Sequence, residues 1–217
     1  LTNNDGCICA VCPIARKLNI PNFAPYFKVK NFLAKNNVVV RSSNYELYAD
    51  LSERMMTVIS RFSDTHHVYS IDESFLKFTG FSSLITDWHA YGQQIRRTVW
   101  RETSLPVGVG FGTTPTLAKA ANYAAKKLPG FKGVAVINDE ISRKHILSQM
   151  DVRHVWGVGS RLAKKFKLMG IETAQQLADQ SPKKMRRLFS VVVERTVSEL
   201  GGIDILVNSA GVLAMGP

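Results

Sequence analysis

The chain has 217 residues, 45% hydrophobic and 21% charged, which excludes a disordered, collagenous or disulfide-scaffold protein and leaves an ordinary globular one. Its 28 Lys and Arg against 17 Asp and Glu give a formal net charge of +11; a polyanionic partner is the reading this favours, and a merely basic, well-solvated surface is the plainer alternative. No run is apolar enough to span a membrane and no signal peptide is visible, so cytoplasmic residence is expected.

In chain order, Leu-Thr-Asn-Asn-Asp-Gly is a turn cluster, followed by a helix-compatible run through Leu18 that carries Arg16 and Lys17. The cysteines, Cys7, Cys9 and Cys12, all fall here. Their odd number and the lack of distant partners exclude a disulfide framework. The nearest histidine is His66, so a zinc site lacks a fourth ligand, and small buried apolar side chains are expected. Prolines and an asparagine break the pattern from Ile20 to Tyr26, and Val38 to Val40 reads as a short strand. Ser42-Ser43 is a plausible N-cap for a helix whose apolar face is Leu47, Leu51, Met55 and Ile59.

Val68 to Gly80 then reads as a tight hairpin, with Asp72 and Glu73 near its tip between two β-prone runs. In mid-strand, neighbouring side chains point to opposite faces, whereas at a turn two carboxylates can converge. Such a pair invites a hard cation, and Mg²⁺ favours one or two carboxylates supplemented by substrate phosphates. Taken alone, the dipeptide is equally at home as a polar turn.

A second amphipathic helix runs from Asp87 to Thr103, with Trp88, Tyr91, Ile95 and Val99 on one side and Arg96, Arg97 and Arg101 available to solvent or phosphate. The Val-Gly-Val-Gly run after Pro106 signals a strand. Thr-Thr-Pro opens an Ala-rich helix that Pro129-Gly130 ends. On it, Lys119 and Lys126 lie two turns apart and share a face, which suits a triphosphate or ordinary solvated lysines.

From Asp151 to Thr173, two short helices joined by Gly157-Val158-Gly159 are expected to form a helix-hairpin-helix. The second helix would offer its first backbone N-H groups beside the glycines, with Lys164 and Lys165 favouring a nucleic-acid phosphate. A plain αα-hairpin is the alternative. Lys183, Lys184, Arg186 and Arg187 extend the positive surface. From Gly201 the basic residues stop.

Asn-Asn-Asp-Gly-Cys at Asn3 to Cys7, Ser-Ser-Asn-Tyr-Glu-Leu-Tyr-Ala-Asp at Ser42 to Asp50, Tyr-Ser-Ile-Asp-Glu at Tyr69 to Glu73, the Leu-Ala-Lys and Ala-Ala-Lys-Lys pair, and Val-Trp-Gly-Val-Gly together resemble the UmuC branch of the Y-family DNA polymerases, which supplies the catalytic subunit of bacterial polymerase V. The resemblance runs to about Leu200. It implies an α+β right-hand polymerase fragment: partial fingers at 1–43, a palm at 44–135 lacking its first strand, a helical thumb with the helix-hairpin-helix at 136–200, and an unrelated tail at 201–217. The implied activity is error-prone translesion synthesis in the SOS response, with DNA primer-template and deoxynucleoside triphosphate as substrates, two Mg²⁺ ions as cofactors, and the UmuD′ dimer, RecA filament and sliding clamp as partners. Asp72 and Glu73 match the family's metal carboxylates, and Arg16 and Lys126 its triphosphate contacts.

The departures carry expectations of their own. The family's first metal-binding aspartate and its ribonucleotide-excluding aromatic precede the point where this chain starts, so the chain as written is expected not to extend primers. Val11 and Pro115 stand where close relatives usually have arginine and lysine. Gly-Gly-Ile-Asp-Ile-Leu-Val-Asn-Ser-Ala-Gly-Val resembles a strand and turn of short-chain dehydrogenases, without their nucleotide loop or catalytic pair. A non-catalytic helix-hairpin-helix DNA-binding module and a dehydrogenase fragment are the competing functions.

Overall fold

The computed structural model describes residues 6–21, 23–78, 84–201 and 206–211, the last as backbone. The first five residues of the opening turn cluster, the end of the carboxylate hairpin at Thr79-Gly80 and most of the expected tail lie outside these residues. The chain divides into two compact units, one running through Glu53 and the other Arg54–Val212.

In the first unit, α1 is short (Pro13–Arg16), α2 spans Tyr26–Lys35, and α3 (Tyr45–Ser60) begins there and continues into the second unit. Its small core gathers Ile8, Ala15, Ile20 and Leu33, with Val38 and Val40 packed against it. Several local expectations are corrected. The run through Leu18 forms one turn of helix rather than a longer one, because Pro13 sets its start and Asn19, at φ 55, leaves the helical region. α2 is not among the expected elements, although Tyr26, Val29 and Leu33, at helical spacing, pack on this core. Val38–Val40 is not a strand; its alternate side chains pack on the core without a ladder. The cap of α3 is Asn44, whose side-chain oxygen accepts from the Leu47 amide at 3.0 Å, rather than Ser42 or Ser43. Cys7 and Cys9 are half-buried and Cys12 is exposed. The Cys12 sulfur caps α1 by accepting from the Ala15 amide.

The second unit is built on a five-stranded sheet in the order β1-β2-β5-β3-β4, with β1 Thr65–Ser70, β2 Glu73–Lys77, β3 Val107–Gly112, β4 Val134–Ile137 and β5 Leu206–Gly211. The β3–β4 pair is parallel and the other pairings are antiparallel. On one face lie the end of α3 and α4 (Trp88–Thr103), burying Met55, Ile59, Ile95 and Val99 against Leu76, Val109, Phe111 and Val134. The expected α3 stripe is buried only at Met55 and Ile59, while Leu47 is 43% exposed. Arg96 of α4 is not available to phosphate as expected. Its guanidinium donates to the Val107 carbonyl at 2.7 Å and the Lys132 carbonyl at 2.9 Å, tying α4 to the chain entering β3 and β4, and burial lowers its pKa.

On the other face lies α5 (Pro115–Lys127), capped by Thr114. The alternation of β3 explains both layers: Val107, Val109 and Phe111 face α4, and glycines face α5. A Cβ on Gly110 would collide with the Asn122 amide nitrogen and the Ala118 carbonyl of α5, so helix and strand touch backbone to backbone. Beyond α5, a second core joins α6 (Glu140–Gln149), α7 (Ser160–Leu168), α8 (Ala174–Ala178), α9 (Pro182–Leu188) and α10 (Val191–Gly201) around Ile146, Leu147, Phe166, Leu177 and Met185. Glu199 of α10 accepts from the Thr116 hydroxyl at 2.5 Å, and its carbonyl accepts from Thr114 at 2.8 Å, so α10 is moored to the start of α5.

The residues expected to be an unrelated tail supply the central strand. β5 pairs antiparallel with both β2 and β3, and Asn208–Gly211, expected as a turn, are extended. Each of those neighbours has one edge facing β5, and a strand between them satisfies both rows of backbone groups. Among the described residues, no helix is long and apolar enough to cross a membrane.

Gly110→Ala is expected to lower the unfolding free energy by about 3 kcal/mol or more, because the added methyl meets backbone that cannot rotate away. The shift of the urea midpoint measures it.

Candidate active site

The carboxylates fall where the hairpin reverses. Ser70 stands opposite Glu73 in the β1–β2 ladder, leaving Ile71-Asp72 as a two-residue connection. The Ser70 hydroxyl donates to Asp72 Oδ1 at 2.8 Å and holds that carboxylate over the turn. Glu73 opens β2, so its side chain shares a face with Phe75, the face covered by α5. There Glu73 Oε2 accepts from Lys119 Nζ at 2.5 Å. The Lys119 ammonium also lies 5.3 Å from the Tyr69 ring centroid and 5.6 Å from that of Trp156. Those two rings meet edge to face at 5.5 Å, and Phe75 closes on Trp156 at 6.0 Å.

Lys126, two turns further along α5, turns toward the same carboxylates. Its aliphatic stem lies over Gly108, where a Cβ would press on its Cγ and Cε. Burial lowers the pKa of its ammonium, the Glu73 and Asp72 carboxylates offset part of that and Lys119 and Lys127 add to it, leaving it at about 8. At neutral pH it is mostly protonated, a cation held partly out of water beside two anions. Asp72, Glu73, Lys119 and Lys126 thus form one charge cluster at the turn end of β2. Its alternating signs can hold a metal ion on the carboxylates and phosphate oxygens on the ammonium groups.

The other expected contacts lie elsewhere. Arg16 ends α1 in the first unit, exposed, with its guanidinium donating to the Val11 carbonyl at 3.3 Å. In the expected helix-hairpin-helix, the first helix is only a 3₁₀ turn, Val152–His154, because three residues separate the Asp151 cap from the departure toward Gly157, which adopts φ +87. His154 stacks on Tyr123 of α5 with centroids 4.7 Å apart. Gly159 caps α7 without any side-chain hydrogen bond, so the first amides of that helix meet no capping side chain. Gly157, Gly159, Lys164 and Lys165 are all exposed, whereas Lys167 is engaged with Asp151 at 2.7 Å.

Sequence reasoning reaches the shared face of Lys119 and Lys126 but not the Lys119–Glu73 pair, nor the rings of Tyr69 and Trp156 around it. The heptad spacing is the available signal; which strand lies opposite is not.

Because the pKa of Lys126 lies lower in the folded than in the unfolded chain, the unfolded chain binds more protons between about 8 and 10.5, and stability must rise with pH across that window. Compared with Lys126→Met, the native chain should gain on the order of 2 to 3 kcal/mol from pH 8 to 10.5. Parallel pH curves of the urea midpoint for the two proteins would contradict the buried setting of this ammonium.

A family model described as the impB/mucB/samB family matches residues 1–123, which includes Asp72, Glu73 and Lys119. Protein UmuC of Salmonella typhimurium is 45% identical over 203 residues, covering 93% of this chain and 48% of the relative. Protein MucB of Escherichia coli is 41% identical over 202 residues, with the same shares. The chain thus spans about half the length of the curated relatives it matches. Among solved structures, an insertion ternary complex of Dbh DNA polymerase aligns with a TM-score of 0.70 at 20% identity, covering 87% of this chain and 54% of that one. A DinB family error prone DNA polymerase from Sulfolobus solfataricus aligns at 0.71 and 20%, covering 91% and 59%. These structures share the fold, and the motif resemblance to Y-family polymerases agrees with it. By the span of the matching family model, the chain belongs to the impB/mucB/samB family.

Proposed function

We propose that this chain carries the nucleotidyl-transfer site of an error-prone translesion DNA polymerase. The observation that carries the proposal is the Asp72–Glu73 turn set against two lysines of α5, in a fold shared with DNA polymerases. In this reading the palm is the β-sheet with α4 and α5, the fingers lie in the first unit, and the thumb begins near residue 136.

The residues present fit a Mg²⁺ site that depends on its substrate. Among the described residues, no cluster of three or more metal-binding side chains occurs, but two carboxylates at a turn match what Mg²⁺ takes from a protein when phosphates complete its shell. Bound there, the metal would supply charge neutralisation at the attacking oxygen and the α-phosphate. Asp72, oriented by Ser70, and Glu73 would hold it. Lys126 would neutralise the triphosphate, its partial desolvation strengthening that attraction, and the family resemblance gives Arg16 a triphosphate contact as well.

Template and primer phosphates would meet the uncapped first amides of α7, after Gly159, and the exposed Lys164 and Lys165. That contact reads no sequence, as copying any template requires. Cytoplasmic residence, and the UmuD′ dimer, RecA filament and sliding clamp as partners, accompany the proposal through the family resemblance.

Single-nucleotide incorporation on a primed template tests the assignment. It should be run with the chain itself and with a chimera in which the chain replaces the matching region of the Salmonella UmuC. In the chimera, Mg²⁺-dependent incorporation is expected, and it should fall about 10²- to 10³-fold in Asp72→Ala. Salt-sensitive DNA binding without incorporation in either form would leave a helix-hairpin-helix binding module as the function. Independently, Lys164→Ala should weaken binding evenly across DNA sequences and reduce the slope of log K against log salt by about one.

A further inference from the structure

We infer that Lys119 is a built-in stand-in for the divalent ion: while no metal and nucleotide are bound, its ammonium occupies the Glu73 carboxylate, and it must leave when the ion arrives. The inference rests on the proposed metal role of Asp72 and Glu73 and adds how that site is kept and opened.

The pair is not an incidental surface contact. Lys119 Nζ lies 2.5 Å from Glu73 Oε2, and the two side chains are only 17% and 22% exposed. Surface pairs hold two mobile chains against water for little gain, but here both ends are set by rigid elements. Glu73 begins a strand whose register is defined on both sides. Lys119 rises from a helix pressed backbone to backbone on β3, which fixes where its stem begins. The ammonium is further enclosed by the faces of Tyr69 and Trp156, where a cation is attracted by both rings.

The arrangement solves a problem that a carboxylate pair creates. Asp72 and Glu73 without a counter-charge repel each other and favour protonation or distortion of the turn. The Lys119 ammonium supplies the positive charge and holds Glu73 toward α5. A divalent ion on the same carboxylate meets that ammonium at close range and repels it. The four-carbon stem of lysine can swing, and a metal that arrives bound to a nucleoside triphosphate brings phosphate oxygens to receive the displaced ammonium. A free metal ion brings none. The site is therefore predisposed against bare metal and toward metal delivered with nucleotide.

Mn²⁺ binding to the full chain, followed by electron paramagnetic resonance without nucleotide, tests this. Lys119→Met should bind Mn²⁺ about tenfold more tightly than the native chain. Lys127→Met, which removes an exposed cation at the end of the same helix, should change the affinity no more than about threefold. Equal gains in the two variants would reduce Lys119 to through-space repulsion, and no gain in Lys119→Met would overturn the stand-in role while leaving the metal site in place. Absence of Mn²⁺ binding in every form would remove the metal reading and this inference together. A measurement on the native chain covers the case of a variant that fails to fold. In Mg²⁺ titrations, the side-chain ¹⁵N resonance of Lys119 should move with the same midpoint as metal binding, and a resonance unmoved at saturation would show that the ammonium does not leave.

Discussion

The direct contact between β3 and α5 is the constraint on which the rest of this molecule depends. Three glycines alternate with valine and phenylalanine in Val107–Gly112, and the facing side of α5 is mostly alanine. With no side chains between them, helix and strand approach until backbone meets backbone. Dispersion attractions at that distance are individually small and collectively large, and a polar side chain buried there, Asn122, donates to the Gly108 carbonyl at 2.8 Å. Such an interface has no slack. The helix cannot slide or roll without a clash, so the points from which its side chains reach toward the hairpin are fixed.

That rigidity is what gives the charge cluster meaning. Lysines on a loosely packed helix would average over many positions and pair weakly with any carboxylate. Here Lys119 and Lys126 are delivered to one end of β2, Lys126 with its stem laid across a strand glycine. The cost of desolvating Lys126 is visible in its lowered pKa, and the close packing on which it rests is large enough to carry that cost. Burial penalises that cation and the two carboxylates offset part of the penalty; in the proposed function it serves when phosphate arrives.

Much of this was legible in the residues because the signals were local. The carboxylate hairpin, α4 with its Asp87 cap, the glycine-alternating strand and the proline-led α5 each follow from turn chemistry, capping or period within a short window. What was not legible depended on partners far away in sequence. Arg96 looked like one of three solvent-facing arginines, and only the arrival of Val107 and Lys132 beside it makes it a structural strut. Val38–Val40 has a strand's composition, but a strand needs a neighbour. Asn208–Gly211 has a turn's composition and is nevertheless held extended by β2 and β3 on either side. The Lys119–Glu73 pair joins residues 46 positions apart, and no spacing rule reaches that far.

Trp156 connects the two sites to which the proposed function gives contacts with nucleic acid. It sits in the short link between the 3₁₀ turn and Gly157, immediately before the open amides of α7, yet its ring packs on Tyr69 and Phe75 of the carboxylate hairpin and over the Lys119 ammonium. One residue earlier along the chain, Val155 is buried in the core of α6 to α10, and His154 before it stacks on α5. The link is thus anchored on both the helical core and the sheet, so a phosphate settling, as proposed, on the first amides of α7 would engage a segment whose position is set by the same rings that enclose the ammonium on Glu73. A displacement of that link would alter the enclosure of Lys119, and release of Lys119 would loosen one anchor of the link. In the proposed function, backbone contact with DNA and the state of the carboxylate pair would be joined through packed side chains rather than through a flexible hinge, which is the physical requirement for two such sites to influence one another.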